Sequence, residues 1–188
     1  MGIERAFLPV ANRHALKARA EMKLRPEDPL CPIKYTLFQG YQVLALTQLL
    51  AGRPREIAAL DKTENKKPVF SATTILCPRS RLLLGFVVND RHSIERQKSN
   101  LAHEWGHVLQ GHEPQNLLVA RQEIHSKREE DEADAVGFSM LMSDEMCLAM
   151  AAMGLTDQEI AAKHQLSIQV VRMRMNRSHA RRILSGAA

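Results

Sequence analysis

Apolar positions along the chain follow two periods, and the change from one to the other sets the order of elements. Ala11 to Arg25 is a basic run of helix formers closed by Pro26, and Glu27-Asp28-Pro29-Leu30-Cys31-Pro32 is a turn-rich passage whose last proline suits a first helical turn. From Ile33 to Ala51 the positions Leu37, Val43, Leu44, Leu46, Leu49 and Leu50 recur mostly at helical spacing, with Gly52 and Pro54 as the stop, which predicts a core helix. Lys62 to Pro68 is polar and reads as a loop. Thr73 to Cys77 and Leu82 to Asn89 are apolar or β-branched runs joined by Pro78-Arg79-Ser80, the pattern of a hairpin or of two strands in a small sheet. Everything after Asp90 is helical in character: Ser93 to Gln110, Lys127 to Met142, Asp144 to Met153, and two short helices after Thr156 and Ser167. Ser126 with Glu129 and Thr156 with Glu159 have the spacing of capping boxes.

This order gives the α+β class, mainly helical with a small sheet. At 188 residues the chain suits one domain with appendages, divided as an N-terminal helical extension (1–25), a main domain (26–153) and a C-terminal helical segment (154–188). An apolar share of 45% and a charged share of 25% exclude wholesale disorder and rod-like repeats. No apolar run approaches the roughly 18 residues that span a bilayer, so no membrane partner is expected. Met1 to Val10 lacks a signal-like apolar stretch, and Cys31, Cys77 and Cys147 form no C-x-x-C pair, so the expected location is cytoplasmic. Charge is uneven: residues 1–100 carry 17 Lys and Arg against 9 Asp and Glu, residues 101–150 carry 3 against 10, and residues 154–188 carry 6 against 2. Acidic chemistry lies between basic flanks that can steer an acidic partner without specifying one.

That acidic middle contains His103-Glu104-Trp105-Gly106-His107, an H-E-x-x-H pattern. On a helix, residues four apart lie about 40° apart around the axis and about 6 Å along it, so two imidazoles can close on one ion. Glu104 flanks that ion without ligating it and can take a proton from an attacking water, which zinc acidifies towards a pKa of about 7. Catalytic zinc usually has three protein ligands. The reservoir for the third is Glu129-Glu130-Asp131-Glu132-Ala133-Asp134, most of which reads as a solvated cap favoured by the helix dipole. Glu130 and Asp134 share a face, so one can bind the metal while the other accepts the second ring proton of a histidine ligand. Glu129 is committed to its capping box, and Glu132, about 200° around from Glu130, should face elsewhere. Glu130 is therefore preferred as the ligand, with Glu132 the alternative.

These residues, preceded by Val87-Val88-Asn89 and Arg96-Gln97-Lys98-Ser99-Asn100-Leu101-Ala102 and followed by Met140-Leu141-Met142, resemble the ImmA/IrrE family of zinc metallopeptidases. In that family a strand ending in Asn leads to an arginine-containing helix that runs into the metal motif, and a later E-x-x-A-[N/D] helix supplies a glutamate ligand. The resemblance covers about residues 26–180 and is strongest over about 86–143. It implies a zincin-like fold, with His103, His107 and Glu130 as metal ligands and Glu104 as the catalytic acid/base. Asp134 falls to the role of orienting a ligand histidine. Zinc is the implied metal, with manganese or iron able to replace it in the cell. The implied activity is regulatory endoproteolysis of a helix-turn-helix repressor controlling a stress response or mobile element. Ser143 stands where the family often has Pro, Phe138 falls in a usually alanine-rich stretch, and residues 1–25 have no counterpart.

Gly154 to Arg174 reads as two capped helices joined by a turn, a helix-turn-helix-like pattern. Its second helix carries Arg172, Arg174 and Arg177, with Arg181 and Arg182 beyond, as a DNA-reading helix would. The same segment can pack on the peptidase with a basic outer face, and the resemblance favours that packing over direct DNA binding. The competing functional classes are a non-proteolytic metal-binding transcriptional regulator and a toxin–antitoxin partner, both using this tail. Glu104 weighs against a purely structural metal, which has no use for it and closes with a fourth protein ligand. His112, His125, Tyr35 and Tyr41 are candidates for polarising a substrate carbonyl, with nothing to select among them. Met140, Met142, Met146, Met150 and Met153 recur near helical spacing and read as core. No pattern sets an oligomeric state.

Overall fold

The computed structural model describes residues 7–64, 67–112 and 126–186. In chain order it contains α1 (Leu8–Glu21), α2 (Pro32–Phe38), β1 (Gln42–Ala45), α3 (Leu46–Leu49), α4 (Pro54–Leu60), β2 (Thr63–Glu64), β3 (Lys67–Pro68), β4 (Ala72–Leu76) and β5 (Leu83–Val88). Six further helices follow among the described residues: α5 (Ile94–Gln110), α6 (Lys127–Leu141), α7 (Asp144–Ala152), α8 (Asp157–His164), α9 (Ile168–Ser178) and, after a left-handed residue at His179, the short α10 (Ala180–Leu184), with no strand between them. The class is α+β.

β5 is the middle strand of a three-stranded sheet ordered β1-β5-β4. Phe86, Val87 and Val88 are buried in succession because that strand is covered on both faces, which accounts for its uninterrupted apolar run. β4 pairs with it antiparallel, as the hairpin pattern predicts. β1 pairs with it parallel, from Gln42 opposite Gly85 to Ala45 opposite Val88.

The strand β1 corrects the expectation of one helix over Ile33–Ala51. α2 stops at Phe38, and Gly40, at φ 81°, turns the chain into the left-handed region. Val43 and Leu44 then complete the ladder of β5, a partner some forty residues away that local spacing does not reveal. Leu37 and Leu49, counted as core by that spacing, are 59% and 51% exposed. The polar stretch read as a loop forms the small antiparallel pair β2–β3.

α1 begins three residues before the expected start and ends at Glu21, leaving Lys23 left-handed and the basic run unwound. The unwound turn is held from inside: Nη2 of buried Arg19 donates to the carbonyls of Arg25, Pro26 and Asp28 at 2.8, 3.0 and 2.6 Å. Ala11, Ala15 and Ala18 form the buried stripe by which α1 packs on α6.

α5 and α6 make the most extensive helix pairing among the described residues, and glycine permits their close approach. A Cβ on Gly106 would collide with the carbonyl of Ala133, and one on Gly137 with the carbonyl of Ala102. Side chains three and four residues from these points on each helix are thereby brought into facing positions.

A second core lies between the end of α6 and helices α7 to α10, built from Met142, Met146, Met150, Ile160, Leu166, Val171 and Met175. Met153, expected to join it, is 52% exposed at the end of α7. Ser143 caps α7, its side chain accepting from the Met146 amide, a helix-start role that accounts for serine at this position. Buried Arg174 on α9 donates to the Met142 carbonyl at 2.7 Å and to Asp144 at 2.6 Å. Arg181 bonds Asp157 and the Leu155 carbonyl, while Arg172 and Arg182 face outward. No single described helix is long and apolar enough to cross a membrane.

Candidate metal centre

α5 starts at Ser93, whose side chain accepts from the Arg96 amide, and runs unbroken through the H-E-x-x-H segment to a left-handed cap at Gly111. The helical spacing places His103 and His107 side by side, with their Nε2 atoms 3.0 Å apart. α6 starts at the Ser126–Glu129 capping box, which puts Glu130 in its first turn opposite both rings. The Glu130 carboxylate oxygens lie 3.4 Å from His103 Nε2 and 3.6 Å from His107 Nε2.

Two imidazole nitrogens and a carboxylate oxygen, all within 4.8 Å of one another, form a group able to hold a metal ion. Bonds of about 2.05 Å to a tetrahedral ion place its ligand atoms about 3.3 Å apart. The two ring nitrogens stand 3.0 Å apart, and one Glu130 oxygen lies 3.4 Å from His103 while the other lies 3.6 Å from His107, separations close to that value, so the residues present suit a tetrahedral ion such as zinc.

Asp134, one turn beyond Glu130, meets Nδ1 of His103 at 2.8 Å, a contact that can fix the orientation of the ring. Burial disfavours a charge on His103, but Asp134 and Glu130 outweigh it and hold the imidazole up to about 10. Glu104 lies on the side of α5 that faces the sheet, half-buried, with the Thr74 backbone amide donating to its carboxylate. Asn89 N–H donates to Ser71, so alternation along the antiparallel ladder makes Thr74 and Phe86 a non-hydrogen-bonded pair. The Thr74 N–H therefore points off the sheet edge, towards Glu104. Burial pushes this carboxyl up to about 7, with His103 opposing and Glu130 adding.

Glu132 points away from the two Nε2 atoms, as its angular position requires, yet it is not a solvated cap residue. Its carboxylate lies 3.4 Å from Nε2 of His112 and accepts from Arg128 Nε at 2.8 Å. His112 in turn faces His107, Nδ1 to Nδ1, at 2.9 Å. The pattern G-H one turn after H-E-x-x-H carries the signal for this: a left-handed glycine ends the helix and folds the next residue back onto its last turn.

The other candidates separate. Tyr35 and Tyr41 pack around Trp105 in the core, with ring centroids 5.0 and 5.8 Å away. The Tyr35 hydroxyl bonds Glu21, and burial with that carboxylate pushes it up to about 12. His125 lies outside the described residues.

A family model described as the IrrE N-terminal-like domain, a peptidase family, matches residues 81–176. No curated protein and no solved structure matches.

Proposed function

Because the chain belongs to the IrrE N-terminal-like family of peptidases, a metal-dependent class, we propose that it is a zinc endopeptidase with His103, His107 and Glu130 as ligands and Glu104 as acid and base. The observation that carries this reading is the convergence of three donors from two helices with a second carboxylate, Glu104, beside them and outside the donor set.

When bound, the ion supplies a Lewis acid that polarises the scissile carbonyl and acidifies water. Glu104 accepts the proton of the attacking water as its oxygen bonds the carbonyl carbon, then delivers that proton to the amine as the C–N bond breaks. Burial raises the basicity of Glu104, which suits a group that must take up the proton of the attacking water and pass it on. The Thr74 amide aims it, and Asp134 holds His103 in the tautomer that leaves Nε2 free to ligate. Zinc fits the nitrogen-rich donor set, and manganese or iron can take its place where availability favours them.

The substrate in this reading is a helix-turn-helix repressor of a stress response or mobile element, and cleavage releases its operators. Packing of the tail on the peptidase core, with Arg174 turned inward, supports a tail that completes the enzyme rather than one that grips DNA. Co-expression with the repressor encoded beside the gene, read as cleavage on a gel, tests it. Wild type should cleave, and Glu104→Gln should retain one zinc per chain by elemental analysis while losing about 10²- to 10⁴-fold in turnover. Undiminished cleavage by Glu104→Gln, or no stoichiometric metal in the wild type after zinc is supplied, rejects the reading.

A further inference from the structure

We propose that His112 is a positioning residue for His107, itself held by Glu132 and Arg128, so that one ligand histidine is oriented by a carboxylate and the other by a second imidazole. The proposal rests on the metal-centre reading above. His107 directs Nε2 to the donor set and Nδ1 to the opposite side, where His112 Nδ1 waits at 2.9 Å with the rings edge to face at 65°. Two ring nitrogens at that distance share one proton. A neutral imidazole that gives its Nε2 lone pair to a cation carries its proton on Nδ1, so His107 donates and His112 accepts. His112 then carries its own proton on Nε2, the nitrogen that faces the Glu132 carboxylate at 3.4 Å. Glu132 is neutralised from its other side by Arg128. Polarity runs one way along the row: His112 fixes the tautomer of His107, and Glu132 that of His112.

The backbone builds this row. Gly111, at φ 69°, lets the His112 N–H return to the His107 carbonyl at 3.0 Å, which lays the His112 ring against the ring it orients. The side chains of His112 and Glu132 are 8% and 17% exposed, so water competes little for their contact. His112 reaches the ligand face from behind and stands on the far side of His107 from the donor atoms, which suits positioning and not contact with a substrate carbonyl.

The test is metal affinity of the full chain, measured with zinc and with cobalt against a competing chelator, together with the visible spectrum of the cobalt form. His112→Ala should bind about 10- to 100-fold more weakly, the usual size of losing a ligand's orienting partner. His112→Asn, whose Oδ1 occupies the place of Nδ1 and accepts the same proton, should recover most of the affinity and the wild-type spectrum. His112→Gln preserves volume but puts no acceptor there, so it should resemble His112→Ala and serves where the alanine variant folds poorly. Glu132→Ala should lose less, and lose nothing further in the His112→Ala background. Wild-type affinity in His112→Ala or His112→Gln, an Asn variant no better than these, or additive losses with Glu132→Ala overturns the proposal while leaving the metal centre standing. Failure of the wild type to take up either ion overturns the metal centre and this proposal with it.

Discussion

His103 is the residue whose protonation governs the metal-free molecule. Its imidazole rises from 6.5 to about 10, and the Glu104 carboxyl rises from 4.5 to about 7. Both groups hold protons more tightly folded than unfolded, so their stabilising contribution is complete below the unfolded values and is lost as pH climbs through the folded ones. The metal-free protein should therefore melt at progressively lower temperature from about pH 5 to about pH 10. A cation must displace the His103 proton, so its affinity should rise about tenfold per pH unit over most of that range. A melting series with and without chelator checks both, and a metal-free form that gains stability towards alkaline pH contradicts them. Thr74 gives a second residue-scale expectation. Its contribution is a main-chain N–H, so Thr74→Val should keep turnover and Thr74→Pro, which deletes the donor, should lose it, measured on metal-loaded protein. His103, Glu104, His107 and the Glu130–Asp134 face were legible in the sequence because helical spacing alone brings each set together. Thr74 and His112 were not, because one acts through backbone direction at a sheet edge and the other through a fold-back at Gly111.

At the scale of elements, the crossing of α5 and α6 sets the separation between the histidine pair and Glu130. Gly106→Ala or Gly137→Ala puts a methyl into a backbone carbonyl of the facing helix. Each should cost about 1 to 3 kcal/mol by calorimetry and weaken metal binding as well, because the helices must part for the methyl to fit. Metal affinity unchanged in a destabilised variant would separate the crossing from the site. Helix starts were readable at Ser126 and Thr156 from their capping-box spacing, and the structure adds caps at Ser143 and Ser167, each of the four accepting from an amide three residues on. The strand hidden in Ile33–Ala51 was not readable, since β1 has four residues and owes its form to β5. Propensity loses to pairing where a buried strand lacks its second neighbour.

Across the whole molecule the second core joins the tail to the peptidase: Met142, Met146 and Met150 pack on Ile160, Val171 and Met175. A chain truncated after Met153 should expose these methionines and aggregate or bind a hydrophobic dye, whereas a tail that merely hangs from the enzyme would leave a soluble, folded remainder. Arg174→Met tests the same joint more gently. It leaves the Met142 carbonyl and Asp144 without their partner and should cost about 1 to 3 kcal/mol in denaturant unfolding. The family match spans residues 81–176 and contains every donor of the candidate centre. The Thr74 amide that aims Glu104 and the α1 stripe that packs on α6 lie before it. A recombination event that carried only the matched segment into another gene would deliver the candidate donors without the strand and helix that pack against them. On the proposed reading, a graft meant to keep the chemistry should therefore begin well upstream of the motif, at α1.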